Sequence, residues 1–163
     1  MQPLTEKAIR ESFVNTTRGD AERVPMPGLH EMVWDEREYL GWHDAKAPQR
    51  AYLTVWQGDR PVSFVLRAAE RRIRGGISAM CSLCHSAQPG AQVRLFAAPR
   101  SGEAGRKGDT VGTYICADLG CSAIIRIAPP PAPMQLPPEE IVQRRIAGLR
   151  ERLDSFTQTV LAG

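Results

Sequence analysis

The sequence predicts an α+β fold, in which an antiparallel sheet lies between a short N-terminal helix and a long C-terminal helix. Three observations predict it. Four cysteines form two close pairs, two β-prone runs flank a Gly-Asp turn, and an apolar stripe of helical period fills the C-terminal region. A chain of 163 residues is long enough for one domain with a modest core.

Composition places few limits on what the chain contacts. Its net charge is +3, from 21 basic and 18 acidic side chains, which permits contact with nucleic acid or with an acidic protein and demands neither. No apolar run approaches the roughly 20 residues that a membrane span requires, and no signal peptide precedes the sequence. We therefore expect a soluble cytoplasmic protein whose cysteines stay reduced.

The first element is a predicted helix that begins after Thr5. Thr5 suits the N-cap, and Leu4 is placed to pack on Ile9 across the first turn as a hydrophobic staple. The apolar pattern fades before Gly19. The prolines and glycine of residues 20–33 then predict an irregular connection.

An aromatic cluster follows in Tyr39-Leu40-Gly41-Trp42. Core packing is the favoured interpretation, with a ligand platform as the alternative, because isolated aromatic residues more often fill cores. The glycine predicts a bend or bulge that allows close approach of the backbone.

A β-hairpin is predicted next. The runs Ala51–Trp56 and Pro61–Leu66 are rich in β-branched and aromatic residues, and Gly58-Asp59 between them suits a tight turn. Further along the chain, Val93–Ala97 is another strand candidate.

The four cysteines of the chain are Cys81, Cys84, Cys116 and Cys121. Two such pairs complete the tetrahedral sulfur shell that Zn²⁺ prefers, with zinc–sulfur distances of about 2.3 Å. The first pair has the spacing of a tight turn, whereas the second runs from a strand-like segment into a helix-like one, residues 121–127. This asymmetry predicts a treble-clef zinc finger with one structural zinc ion per chain, and disfavours a zinc ribbon.

Two other interpretations of the cysteines are disulfide or redox chemistry, and four unrelated buried thiols. A bridge between Cys81 and Cys84 would resemble a redox motif, but a reducing compartment disfavours persistent disulfides. His85 follows Cys84 directly and could replace a ligand, although four available cysteines favour its being a bystander.

An enzyme is not expected from these residues. Four thiolates close the zinc shell, whereas a catalytic zinc keeps an open position for water. The three histidines, His30, His43 and His85, lie in no nucleophile motif, and His43-Asp44 is only a weak candidate for an acid–base pair.

Two polar segments are candidate contact surfaces. Arg67–Arg74 is rich in arginine and predicts a solvated loop or short helix, with contact to phosphate or to an acidic partner as the alternative. Pro99–Asp109 lies between the cysteine pairs and predicts a flexible loop held at both ends by the metal site.

The C-terminal region divides at a proline-rich linker, residues 129–138. We assign residues 1–128 to an α/β domain that contains the zinc finger at 81–127, and residues 139–163 to an amphipathic helix. The apolar stripe of this helix requires a cover, supplied either by the same chain or by a partner or second copy. Its members step by three and four residues: Val142, Ile146, Leu149, Leu153, Phe156 and Val160.

Three segments, Tyr39–Trp42, Cys81–Cys84 and Val111–Ser122, together resemble the C-terminal treble-clef zinc-finger domain of the elongation factor G-binding proteins, a family that includes the fusidic-acid-resistance proteins. The resemblance covers most of the chain, Ile9 to Ile127. It implies one structural zinc in an α/β domain with an antiparallel sheet, and a protein that binds elongation factor G on the ribosome and promotes its release when the drug has stalled it. The zinc ligands that it implies are Cys81, Cys84, Cys116 and Cys121.

The sequence departs from this family in two places. The resistance proteins carry a helical bundle before the zinc domain, where this chain has one short helix. The long helix after the prolines looks like an addition.

The predicted function is therefore that of a zinc-containing module that docks on elongation factor G, with release of the factor and tolerance to fusidic acid as consequences. The alternative is direct binding to ribosomal RNA or another nucleic acid through the Arg67–Arg74 cluster. No membrane contact and no small-molecule substrate are expected. The predicted docking surface consists of Phe96, Arg106, Lys107, Tyr114 and Arg126.

Overall fold

The computed structural model of the chain describes residues 1–71, 73 and 76–163. Within these residues the strands are β1 (Leu40–His43), β2 (Arg50–Gln57), β3 (Arg60–Ala68), β4 (Ser78–Met80), β5 (Ala87–Pro89), β6 (Val93–Pro99) and β7 (Thr110–Cys116). The α-helices are α1 (Glu6–Glu11), α2 (Arg18–Glu22), α3 (Gly102–Arg106), α4 (Cys121–Ile125) and α5 (Pro138–Leu161). The combination of helices with an antiparallel sheet confirms the predicted α+β class.

The main sheet has the strand order β1-β2-β3-β6-β7, with every neighbouring pair antiparallel. The predicted hairpin is confirmed as β2 and β3, whose register pairs Gln57 with Arg60. Its two-residue turn requires a positive φ at Gly58, where φ is 62°, and glycine adopts this conformation without steric cost. β4 and β5 form a separate small hairpin beside the main sheet.

The sheet separates two hydrophobic cores because successive side chains of a strand point to opposite faces. On one face, Trp42 and Tyr52 pack with Ile9 of α1. On the other face, Leu53 and Phe64 belong to the larger core, which also contains the four cysteines and the apolar stripe of α5. The zinc module and α5 therefore share one side of the sheet.

The N-terminal helix begins as predicted. The Thr5 side chain accepts a hydrogen bond from the Ala8 N–H at 3.2 Å, and Leu4 and Ile9 are buried. The irregular connection predicted at residues 20–33 is wrong at its start, because α2 occupies residues 18–22. Thr17 caps α2 by accepting from the Asp20 N–H, a short-range signal that was not used in the prediction.

Gly41 lies in a regular edge strand, so the predicted bend or bulge is wrong. Close approach is nevertheless the reason that glycine fits here. A Cβ atom at this position would lie 2.8 Å from the Leu119 Cβ and 2.9 Å from the Tyr39 Cε2. The side chains of Leu119 in the zinc module and of Tyr39, the residue before β1, fill the space that a larger residue would need.

Helix α5 packs against its own chain, which resolves the open question about its apolar stripe. Leu149 and Val160 have no exposed surface, and Ile146, Leu153 and Phe156 are also buried in the larger core. The Phe156 ring meets the Phe64 ring of β3 edge-on, with ring centroids 5.7 Å apart.

The segment Pro99–Asp109 contains the short helix α3, so the prediction of a flexible loop there is wrong. Its first residues bind the C-terminal end of α5. The Ser101 N–H donates to the Val160 carbonyl at 2.8 Å, and the Ser101 hydroxyl donates to the Leu161 carbonyl at 2.9 Å. The Arg100 guanidinium donates to the Thr159 carbonyl, so helix carbonyls that lack intrahelical partners are satisfied.

Among the residues that the structure describes, no helix combines the length and the apolar character needed to cross a bilayer.

Candidate metal centre

The first cysteine pair lies in the tight turn between β4 and β5. The Cys84 N–H donates to the Cys81 sulfur at 3.4 Å, and the His85 N–H donates to the Cys81 carbonyl at 2.9 Å. His85 itself adopts a positive φ of 55°, which lets the chain turn back into β5. The turn directs both sulfurs inward while the imidazole of His85 stays exposed, so His85 is a bystander as predicted.

The second pair joins a strand to a helix. Cys116 is the last residue of β7, and Cys121 is the first residue of α4. Between them Leu119 has a φ of 59°, and the Asp118 carboxylate accepts from the Gly120 N–H at 2.8 Å to stabilise the turn. A tight turn, an intervening hairpin and the first turn of a helix are the parts of the predicted treble clef.

The four sulfurs converge on one point, since all lie within 4.8 Å of one another. Cys81 and Cys121 are 3.6 Å apart, as are Cys84 and Cys116, and the Cys116 and Cys121 sulfurs are 3.5 Å apart. A tetrahedral shell with bonds of about 2.3 Å places its sulfurs about 3.8 Å apart, whereas a disulfide needs about 2.05 Å. The geometry therefore fits one zinc ion, and both other interpretations of the cysteines are wrong.

The electrostatics of the site also favour a metal. All four cysteines are buried. Hydrogen bonds from the neighbouring thiols of Cys116 and Cys121 lower the pKa of Cys81 to about 7. The thiols of Cys116 and Cys81, with burial, raise the pKa of Cys121 above its ordinary value. Four adjacent thiolates would repel one another, so zinc must supply the positive charge that keeps all of them ionised.

Gln88 supports the ligand set from outside it. Its side-chain amide donates to the Cys116 sulfur at 3.1 Å, and such hydrogen bonds stabilise a metal-bound thiolate. Sequence reasoning missed this residue. Gln88 belongs to no motif, and only the pairing of β4 with β5 brings it to the sulfur.

Strand β1 holds the turn between Cys116 and Cys121. The Tyr39 hydroxyl donates to the Leu119 carbonyl at 2.7 Å, and the His43 imidazole lies 2.8 Å from the Ala117 carbonyl. Burial raises the pKa of Tyr39 well above its ordinary value. Gly41 and His43 lie on one face of β1, and Tyr39, directly before the strand, contacts the same turn of the zinc module.

The predicted core role of the aromatic cluster is confirmed by this packing, because Tyr39 and Trp42 are both buried. The candidate acid–base pair His43-Asp44 is not assembled. Asp44 accepts instead from the Tyr52 hydroxyl and the Lys46 N–H, each at 2.9 Å, whereas His43 contacts the zinc turn.

A buried ion pair connects α4 to the segment before β1. Arg126 donates to both oxygens of the Glu38 carboxylate at 2.8 Å, and the Glu38 side chain has no exposed surface. This hydrogen bonding raises the pKa of Arg126. The Glu38 N–H donates to the Ser122 hydroxyl at 3.0 Å, which ties the same two segments together.

Two members of the predicted docking surface are therefore wrong. Phe96 is fully buried because its side chain points from β6 into the core, and Arg126 is committed to Glu38. The other three are accessible. Arg106 and Lys107 lie at the exposed end of α3, and Tyr114 is 44% exposed on the edge strand β7.

The structure describes only part of the arginine-rich segment at 67–74. Arg67 belongs to β3 directly opposite Arg50, and Arg71 is exposed. Arg72 and Arg74 lie outside the residues that the structure describes.

Comparison with known proteins identifies one family. The family model described as "FBP C-terminal treble-clef zinc-finger" matches residues 8–160. This match includes α5, so the prediction that the long helix is an addition is wrong, and the family likeness extends beyond Ile127. No curated protein gives a significant match.

Among solved structures, the chain is similar to one titled "Structure of the fusidic acid resistance protein FusC". The identity is 20% and the TM-score is 0.45. The likeness covers 61% of this chain and 42% of that chain, so this chain spans less than half of the length of that protein.

Proposed function

The chain belongs to the FBP C-terminal treble-clef zinc-finger family, and on that premise we propose that it is a zinc-containing binding protein that docks on elongation factor G. The observation that carries the proposal is the extent of the family match, which runs from the N-terminal helix through the zinc module to α5. Docking would promote release of the factor from the ribosome, and tolerance to fusidic acid would follow from that release.

The zinc in this proposal is structural. A shell of four thiolates leaves no coordination position for water or a substrate, and all four sulfurs are buried. The ion would fix the turns that carry the neighbouring side chains. The protein would then act by presenting a rigid surface to its partner, without a chemical step.

The proposed contact surface contains Arg106, Lys107 and Tyr114. The two cations suit an acidic partner, since complementary charges speed association and lose that effect as salt concentration rises. The Tyr114 ring offers apolar area and a hydroxyl in one rigid side chain, a combination that is enriched at protein interfaces.

The proposal is tested by mixing the purified chain with purified elongation factor G, with and without ribosomes, and following the complex by size-exclusion chromatography. We expect a complex that forms with the factor alone and survives nuclease treatment. Retention on ribosomes that disappears with nuclease, and no complex with the free factor, would contradict the proposal and indicate RNA binding instead.

A further inference from the structure

A basic cleft of about 560 Å³ lies between the zinc turn and α5. One wall is the turn that carries Cys84 and His85, and the other wall is formed by three arginines of the helix, Arg144, Arg145 and Arg152. Among the residues that the structure describes, no aspartate or glutamate lines this cleft. Three cations therefore border a space with no opposing carboxylate in its lining.

The arginines make few hydrogen bonds, so most of their donors stay free. Arg144 pairs with the Glu140 carboxylate at 2.9 Å, where both side chains are largely exposed. The Arg152 Nε donates to the Leu83 carbonyl in the zinc turn at 2.6 Å, and one Arg145 nitrogen donates to the Ile127 carbonyl at 2.9 Å. A guanidinium carries five N–H donors in a planar fork. The fixed guanidinium groups are therefore positioned to donate further hydrogen bonds to an anion.

Gly148 provides the space for one of these groups. It lies between Arg145 and Arg152 on the same face of α5, and a Cβ atom there would be 2.8 Å from an Arg152 nitrogen. Glycine inside a helix is unfavourable compared with alanine, and here a methyl group would have to displace the flexible end of the Arg152 side chain. Here the bare backbone lets the Arg152 guanidinium lie against the helix and reach the zinc turn.

The chemistry of the cleft distinguishes between two kinds of occupant. Its lining also includes Ile124 and Ile127, and the Ile127 side chain is 67% exposed. His85 is the one aromatic ring in the described lining, whereas single-stranded nucleic acids are usually bound by stacking successive bases on several such rings. Aliphatic side chains beside guanidinium groups suit a peptide that carries both carboxylates and an aliphatic residue.

We propose that this cleft binds an acidic, partly aliphatic segment of the protein partner. The inference rests on the proposed function, because it takes elongation factor G as that partner. It adds a second contact, made by α5 and the zinc turn, to the one proposed for Arg106, Lys107 and Tyr114. Carboxylates would accept bidentate hydrogen bonds from the arginines, and the aliphatic residue would cover Ile127.

The test compares two variants that lose the same charge. Arg144→Gln/Arg145→Gln removes two cations from the cleft, whereas Lys7→Gln/Arg150→Gln removes two from elsewhere. Arg150 lies on the same helix and is 65% exposed, against 66% for Arg144, so it is a close match. Binding of each protein to purified elongation factor G is measured by calorimetry, with zinc content and thermal unfolding measured in parallel.

We expect the cleft variant to bind about tenfold more weakly or worse, with the control within about twofold of the unmodified chain. Gly148→Ala should also weaken binding, because it displaces Arg152, without lowering thermal stability. Equal binding by the cleft variant and the control would overturn this inference alone. Failure of the unmodified chain to bind the factor would overturn the proposed function and this inference with it.

Two further results would also overturn the inference. Loss of zinc from the cleft variant would show that the arginines only balance the charge of the thiolates. The cleft would be a nucleic-acid site if the unmodified chain bound a single-stranded oligouridine but not the factor, and if the cleft variant lost the oligouridine binding.

Discussion

Replacing Arg126 with methionine tests whether the ion pair with Glu38 holds α4 and the segment before β1 together. The Glu38 side chain has no exposed surface, and the Arg126 side chain is 22% exposed. Removing one member of a buried ion pair costs about 3–5 kcal/mol, because the other charge stays buried without its partner. Partial exposure and the nearby Arg150, 3.8 Å from Glu38, place the expected loss near the lower limit.

We therefore expect Arg126→Met to lower the free energy of unfolding by about 3 kcal/mol. For a chain of this size that corresponds to a decrease in Tm of about 6–12 °C. The measurement is urea unfolding of the zinc-loaded protein followed by circular dichroism. Glu38→Leu/Arg126→Met should be more stable than Arg126→Met alone, since it leaves no unpaired buried charge.

The matched control is Arg23→Met. Arg23 pairs with Asp20 at 2.7 Å, but the two side chains are 74% and 53% exposed, so the change should cost less than about 1 kcal/mol. A loss at Arg126 no larger than this control would refute the reasoning. Additive effects of the Glu38 and Arg126 substitutions would refute it equally, because they would show that the two side chains do not interact.

Three other predictions follow from single contacts. Leu149→Ala should lower the free energy of unfolding by about 2–5 kcal/mol, measured in urea, because the Leu149 side chain on the inner face of α5 is fully buried. A loss below about 1 kcal/mol would show that α5 does not belong to the core. Gly41→Ala should cost about 1–3 kcal/mol through overlap with Leu119, and an unchanged Tm would contradict that contact. Burial raises the pKa of Asp44, but hydrogen bonds from the Lys46 N–H and the Tyr52 hydroxyl lower it by more, so the net shift is downward. The ionised Asp44 side chain should therefore stabilise the fold above about pH 4, and this contribution should be lost as the pH falls further. Asp44→Asn should then be less stable than the unmodified chain at pH 7 and show a smaller difference at pH 3, whereas a difference that grows on acidification would contradict the sign.

Local signals in the sequence predicted much of the fold. Thr5 at a helix start, Gly58-Asp59 between two β-prone runs, and cysteines at turn spacing each specify a short piece of backbone through contacts within a few residues. The metal site could be predicted for the same reason. Zinc imposes one geometry on any four sulfurs that reach it, so the ligand set could be named before the fold was known.

The errors at Arg126, Phe96 and residues 99–109 concern contacts between residues far apart in the chain. Arg126 was assigned to the surface because its partner Glu38 lies 88 positions earlier, and no local pattern connects them. Phe96 was assigned to the surface because strand alternation shows which residues of β6 share a face, but not which of the two faces the core covers. Ser101 orders the segment predicted to be flexible through the end of α5, some 60 residues later.

The central claim is that one zinc ion, bound by Cys81, Cys84, Cys116 and Cys121, fixes the surface through which the protein acts. Its most direct test is metal analysis of the purified chain, followed by thermal unfolding before and after removal of the metal by a chelator. The account predicts about one zinc per chain, and loss of the cooperative transition both on chelation and in Cys116→Ser. A zinc-free chain that unfolds with an unchanged cooperative transition would contradict it.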